Sequence, residues 1–242
     1  MGAAVLEPSR GEDTARDAVE AAVNEAVRVE GLCHVYDRRV GPVLQDVDAV
    51  FGFGSVVALW GPSGSGKSTL LSLLGLLMAP TSGTVTVAGC AAWASSGQAR
   101  RLRRSMFAWV LQNSACLEAR SALDNVAMGP LAEGLGRREA AGRAVEALEV
   151  VGLAGRAGSR AVELSGGELQ RMTVARALAA DRPVVLADEP TGQLDAKSSG
   201  TVADALRALA AAGRCVIVAT HDPAVSQRCD AVFPVASTRA GS

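Results

Sequence analysis

At 242 residues the chain can hold one large α/β domain with a substantial apolar interior, but two full domains would be cramped. With 24 basic against 25 acidic side chains the net charge is −1, which excludes a bulk-charge attraction to nucleic acid or to an anionic membrane. Hydrophobic residues at 49% with aromatics at 3% describe a packed domain and not a disordered chain.

Residues 1–26 are rich in Ala and Glu without a strong apolar face, and read as a mobile N-terminal extension ahead of a domain over 27–242. They contain no basic segment leading into an apolar core, as a secretion signal requires, and Leu6 stands where a myristoylation signal needs Ser or Thr. Strand-like runs from Val27 to Tyr36 and from Val43 to Phe51 predict an N-terminal β portion, and Ser55 to Trp60 is a third such run that enters a Gly-rich turn. Leu70 to Met78 is apolar on most sides, as a helix buried against a sheet must be, and Thr84 to Ala88 is a further strand after the turn Pro80 to Gly83. The most apolar stretch, Leu70 to Ala79, is broken by Ser72 and Gly75, far short of the ~20 residues that cross a bilayer. A cytoplasmic chain is therefore expected.

Arg100, Arg101, Arg103 and Arg104 form the one dense basic patch. It reads as a solvated helix face, with contact to lipid headgroups or to a partner's acidic loop as the alternative. From Gln112 to Leu164 the chain is rich in Ala, Arg and Glu at helical spacing, above all over Arg137 to Val151, which predicts an inserted α-helical lobe over about 113–165 with a further helix to about 180. Then come a strand at Val184 to Ala187, a helix from about Ala196 to Ala212, a strand at Cys215 to Ala219 and a last short strand at Ala231 to Val235. That alternation predicts a mostly parallel sheet flanked by helices on both faces. The cysteines at 33, 90, 116, 215 and 229 are odd in number and lack a CxxC pair, so they suggest neither a disulfide framework nor a zinc site.

Gly61-Pro62-Ser63-Gly64-Ser65-Gly66-Lys67-Ser68 satisfies the phosphate-loop pattern G-x-x-x-x-G-K-[ST], directly after an apolar strand and directly before a helix. Glycines let the backbone curl so that successive N–H groups point into one concavity, and the helix adds its positive end. Hydrogen bonds to a charged acceptor contribute about 1.5–3 kcal/mol each, so several converging amides with Lys67 suit a triphosphate. Lys67 is expected to reach the β and γ phosphates and the Ser68 hydroxyl to bind Mg2+. Val184 to Glu189 is an apolar strand ending in two carboxylates. Alone the pair could be a solvated strand cap; beside a phosphate loop, Asp188 reads as a magnesium ligand and Glu189 as the group that orients the attacking water.

A phosphate loop names only a broad class, and the narrower assignment comes from Leu164-Ser165-Gly166-Gly167-Glu168-Leu169-Gln170-Arg171, which resembles the signature motif of ABC ATPases. It is a second small-residue turn at a helix start, with free N–H groups for an anion. Tyr36 is similar to the aromatic that stacks on adenine, and Gln112 to the glutamine that senses magnesium and links the core to the helical lobe. Gly192-Gln193-Leu194-Asp195 resembles the loop that crosses the dimer interface, and His221 the histidine that contacts the γ-phosphate. The resemblance covers about residues 28–236, and Glu163 to Glu168 with Thr191 to Asp195 resembles the lipoprotein-releasing and macrolide-export branch.

The resemblance implies a P-loop NTPase core with an N-terminal antiparallel β portion, and an ATPase that uses ATP and Mg2+. The ATP-binding residues it implies are Tyr36, Gly61, Pro62, Ser63, Gly64, Ser65, Gly66, Lys67, Ser68, Thr69, Gln112, Ser165, Gly166, Gly167 and Glu168. Glu189 and His221 would be catalytic, Ser68, Gln112 and Asp188 would hold the metal, and Asp195 would lie in the dimer loop. The implied partners are a second copy packed head to tail, so that each signature motif closes over ATP held by the other chain, and a separate transmembrane permease that would hold the chain on the inner face of the membrane; no nucleic acid is expected. A non-transport ABC ATPase acting on a membrane or division-associated partner is the alternative. The long coiled coil of chromosome-structure members is absent between Lys67 and Ser165, where no heptads occur.

Overall fold

A computed structural model describes residues 24–37, 39–95, 97–111, 116–192 and 194–236. Gln112 and Gln193 lie outside the described residues.

Strand β1 (Glu25–His34) pairs antiparallel with β2 (Leu44–Gly52) on one side and with β4 (Ser82–Val87) on the other; β5 (Cys90–Ala91) closes a four-stranded sheet in the order β2-β1-β4-β5. The second sheet has the order β6-β7-β8-β3-β9, built from β3 (Val56–Trp60), β6 (Phe107–Val110), β7 (Val184–Asp188), β8 (Cys215–Thr220) and β9 (Ala231–Pro234), and every pairing is parallel. β1 begins two residues before the expected Val27 and ends at His34, so Tyr36 stands beyond the strand.

Period-2 geometry sends alternate side chains of the parallel strands to opposite faces. Val57, Leu59, Val184, Leu186 and Ile217 pack against the antiparallel sheet and α1 (Lys67–Leu74). Val56, Val185, Ala187, Val216 and Val218 pack against α3 (Ala122–Ala132), α4 (Arg137–Val150), α5 (Gly166–Ala179) and α6 (Ala196–Ala211). The two remaining helices are α2 (Gln98–Met106), which runs straight into β6, and the short α7 (Pro223–Ser226) after β8. α3 to α5 are the helical lobe the sequence predicts. The five cysteines are free thiols, and burial pushes that of Cys215 up to about 12.

α1 differs from the sequence reading: it starts at Lys67 instead of Leu70 and stops at Leu74 instead of Met78. Its N-cap is Gly66 at φ 100°, a left-handed conformation that glycine adopts without cost, and a Cβ there would meet Val43 and Leu44 at 3.1 Å. At the other end Gly75 lets the chain pass against Trp109, and a Cβ on it would overlap the indole and lie 2.5 Å from Leu186 Cδ1. Gly75→Ala is therefore expected to lower stability by about 1–3 kcal/mol, as overpacking a filled interior does. Denaturant titration checks this, and a loss under about 0.5 kcal/mol would show that α1 is free to back away from β6.

Candidate functional site

The carboxyl ends of four adjoining parallel strands deliver the polar groups. Trp60 pairs with Thr220, Ala219 with Asp188, and Ala187 with Val110, so the phosphate loop after β3, His221 after β8 and the two acids ending β7 all emerge at one edge. Ligands of open parallel sheets bind outside that edge. Gln112 follows the same edge of β6 in sequence but falls outside the described residues.

Lys67 is buried, and its Nζ donates to Gly61 O at 2.8 Å and Pro62 O at 3.1 Å, so the ammonium already holds the loop curled. Ser65 Oγ is buried with no hydrogen-bond partner among the described residues, a donor left for something that enters the loop. Ser68 Oγ donates to Asp188 Oδ1 at 3.0 Å, which sets two hard oxygen donors side by side as a magnesium ion requires. Burial raises the Asp188 carboxyl above its ordinary value; the Ser68 hydrogen bond opposes that, the Glu189 charge adds to it and Lys67 lowers it. A dication beside it would favour the ionised form.

Glu189 has φ 47°, rare for a residue with a side chain, and its N–H donates to Ala219 O at 2.8 Å. The turn brings Glu189 Oε1 to 2.7 Å from His221 Nδ1. Its Oε2 is buried without a partner among the described residues. An acceptor with an open lone pair, held at the mouth of a phosphate loop, fits a role in gripping water. Thr191 Oγ1 donates to Asp222 Oδ2 at 3.4 Å and so joins the segment after Glu189 to the one after His221.

Tyr36 is 61% exposed, its hydroxyl lies 3.2 Å from Thr69 Oγ1, and His34 packs edge-on to its ring with centroids 4.6 Å apart. The ring thus stands beside α1 with a face open to solvent, where a base can stack.

In the signature segment Glu168 is engaged at the start of its own helix. Ser165 caps α5 by accepting from Glu168 N at 3.3 Å, while Glu168 Oε2 accepts from Ser165 N at 2.8 Å and Oε1 pairs with Arg156 Nε at 3.2 Å. These bonds hold the Glu168 carboxyl below its ordinary value, the backbone bond from Ser165 most of all. The side chain shapes the helix start, and the amides of Gly166 and Gly167 are those left without intrahelical partners. Among the described residues no hydrogen bond or ion pair joins Ser165 to Glu168 with the loop at 61–69. Asp195 caps α6, accepting from Ser198 N at 2.7 Å, and Arg171 of α5 donates to Ser198 Oγ at 2.6 Å, so the signature helix and the Asp195 loop are tied together.

Sequence reasoning missed Asn125. Fully buried in α3, it accepts from Leu117 N at 2.8 Å and Arg176 Nη2 at 3.0 Å and donates to Leu117 O and Ser121 O, both at 3.0 Å. It pins the segment that follows Gln112 to the helical lobe. The available signal was an amide among Ala122, Val126 and Ala127, a polar residue on an apolar helix face.

Residues 44–192 match the sequence profile of the ABC transporter family. The macrolide export ATP-binding/permease protein MacB 1/2 of Paracoccus denitrificans is 41% identical over 216 residues, covering 88% of this chain and 32% of that protein. The lipoprotein-releasing system ATP-binding protein LolD of Bordetella avium is 42% identical over 227 residues, 91% of this chain and 97% of that one. The chain thus spans about a third of the MacB relative's length and nearly all of LolD's. A dimeric post-hydrolysis state of the ATP-binding cassette MJ0796 bound to ADP and Pi superposes with a TM-score of 0.79 at 31% identity, over 87% of this chain and 94% of that one. Profile, relatives and sheet-edge geometry agree, and on them this chain belongs to the ABC transporter family, as an ATP-binding cassette.

Proposed function

We propose that the chain binds Mg-ATP between two copies of itself, hydrolyses it, and drives a separate transmembrane permease of the export or lipoprotein- and drug-extraction type from the cytoplasmic side. The observation that carries this is the pair of contacts at the loop's mouth, Ser68 to Asp188 and Glu189 to His221. The loop amides and Lys67 bind the phosphates, and Tyr36 takes the adenine face. Ser68 and Asp188, with Gln112, would hold Mg2+, which would supply charge neutralisation at the phosphates. Glu189 positions water and draws off its proton, and His221 fixes that carboxylate while reaching toward the γ-phosphate.

The signature amides serve the other copy's nucleotide, a reading supported by the dimeric cassette that this chain resembles; among the described residues no hydrogen bond or ion pair ties them to the loop of their own chain. Asp195 travels with them through Ser198 and Arg171. The permease site is supported by a hollow of about 420 Å³ on the helical lobe, lined by Leu117, Leu123, Met128 and Leu131 with Arg120 and Arg137 at its rim. Among the described residues no helix is long and apolar enough to cross a membrane. Relatives named for macrolide export and lipoprotein release favour transport over the non-transport alternative.

Ser165→Arg places bulk where a partner's phosphate must sit. Turnover of ATP in the presence of Mg2+ is expected to fall about 100-fold, while ATP binding to the single chain stays within about threefold. Phosphate release and nucleotide titration read the two quantities separately, with EDTA as the metal control. Unchanged turnover would remove the second cradle from the mechanism.

A further inference from the structure

α2 carries four arginines and no acid between Gln98 and Met106. Arg103 is directed away, its Nη1 donating to Leu76 O at 2.7 Å. The other three, Arg100, Arg101 and Arg104, line a cavity of about 470 Å³ together with Arg182 and Glu133. The charges in it do not cancel. Arg182 pairs with Glu133 at 3.2 Å, which leaves no carboxylate for the rest. Arg101 bonds to the neutral Gln98 Oε1 at 2.5 Å. Arg100 and Arg104 are exposed, and among the described residues neither has a hydrogen bond or ion pair.

Three guanidinium groups therefore face one hollow of small-molecule size without a counter-charge. Their planar forks match the oxygens of a phosphoryl group, and their summed charge suits a compact, multiply ionised anion better than a single carboxylate. The place matters as much as the charge. α2 leads into β6 at Phe107 and Arg182 precedes β7 at Val184, so the cavity sits at the amino ends of these strands. That is the sheet edge opposite the one where the phosphate loop, Glu189 and His221 emerge. A second chain covering the nucleotide edge leaves the cavity open.

We propose that this cavity is a second anion site, taking a compact phosphoryl group independently of the phosphate loop. Its source is either a soluble phosphate compound or the headgroup of an anionic lipid. The test uses the Lys67→Ala chain, so that the phosphate loop does not take up the probe, and titrates inorganic pyrophosphate calorimetrically at low salt. Pyrophosphate is expected to bind, and Arg100→Ala with Arg104→Ala to weaken that binding about tenfold or more. Arg137→Ala with Arg138→Ala, an exposed basic pair on α4, should leave it within about twofold, the size of a diffuse charge effect. Among the described residues the side chains of Arg100 and Arg104 hold no partner, so thermal melting of their variant should match the parent.

A second arm sediments the chain with phosphatidylglycerol vesicles. Binding that pyrophosphate displaces assigns the headgroup as the source; pyrophosphate binding with no vesicle binding assigns the soluble phosphate. Absence of pyrophosphate binding, or equal losses in the two arginine-pair variants, would overturn the site.

Discussion

Glu189→Gln is expected to reduce ATP turnover by about two to three orders of magnitude while ATP still binds, and to leave a dimer that persists for as long as ATP is present. The carboxylate is held by His221 Nδ1 at 2.7 Å through one oxygen, and its other oxygen is buried without a partner among the described residues. An amide of the same shape keeps the packing but cannot take a proton from water. The chain should therefore close on ATP and stay closed while hydrolysis is blocked. Phosphate release gives the rate, and gel filtration in Mg-ATP against Mg-ADP gives the assembly state. A variant that turned over ATP within about threefold of the parent would move the water-activating role to another residue.

Lys67→Ala should weaken ATP binding by about 100-fold or more, the loss of two charge-assisted hydrogen bonds at ~1.5–3 kcal/mol each. The same side chain bridges Gly61 O and Pro62 O before any nucleotide arrives, so its removal also slackens the loop that must present its amides. Lys67→Arg retains the charge but is longer and planar, and at a buried site only 7% exposed it is expected to rescue little. Nucleotide titration separates the two substitutions. If both bound ATP as the parent does, the loop amides alone would account for affinity.

Much of the site was legible because its residues lie where strands end. Glycine spacing after Ser55 to Trp60, and two acids after Val184 to Ala187, fix the loop and the carboxylates to one sheet edge through ordinary strand geometry. The strand order was not legible. β3 sits between β8 and β9, and β6 joins β7 from far along the chain, contacts that no local pattern encodes. The bounds of α1 were misjudged because its hydrophobic run outlasts its backbone: Leu76 is fully buried, yet the helix has already ended before Gly75. The motif shows Glu168 only as part of a unit, and the capping box and ion pair that join its carboxylate to Ser165 and Arg156 depend on the folded turn. Asn125 escaped notice because a lone amide in a helix has many uses, and only its hydrogen bonds to Leu117, Ser121 and Arg176 reveal this one.

β3, β7 and β8 each have a bonded neighbour on both sides and are buried almost along their length. A slide of any one by a single residue would invert its side chains and break its ladder, so the spacing between Lys67, Asp188, Glu189 and His221 behaves as a fixed gauge. Any rearrangement around a bound nucleotide is therefore expected to carry these four positions together as one rigid block.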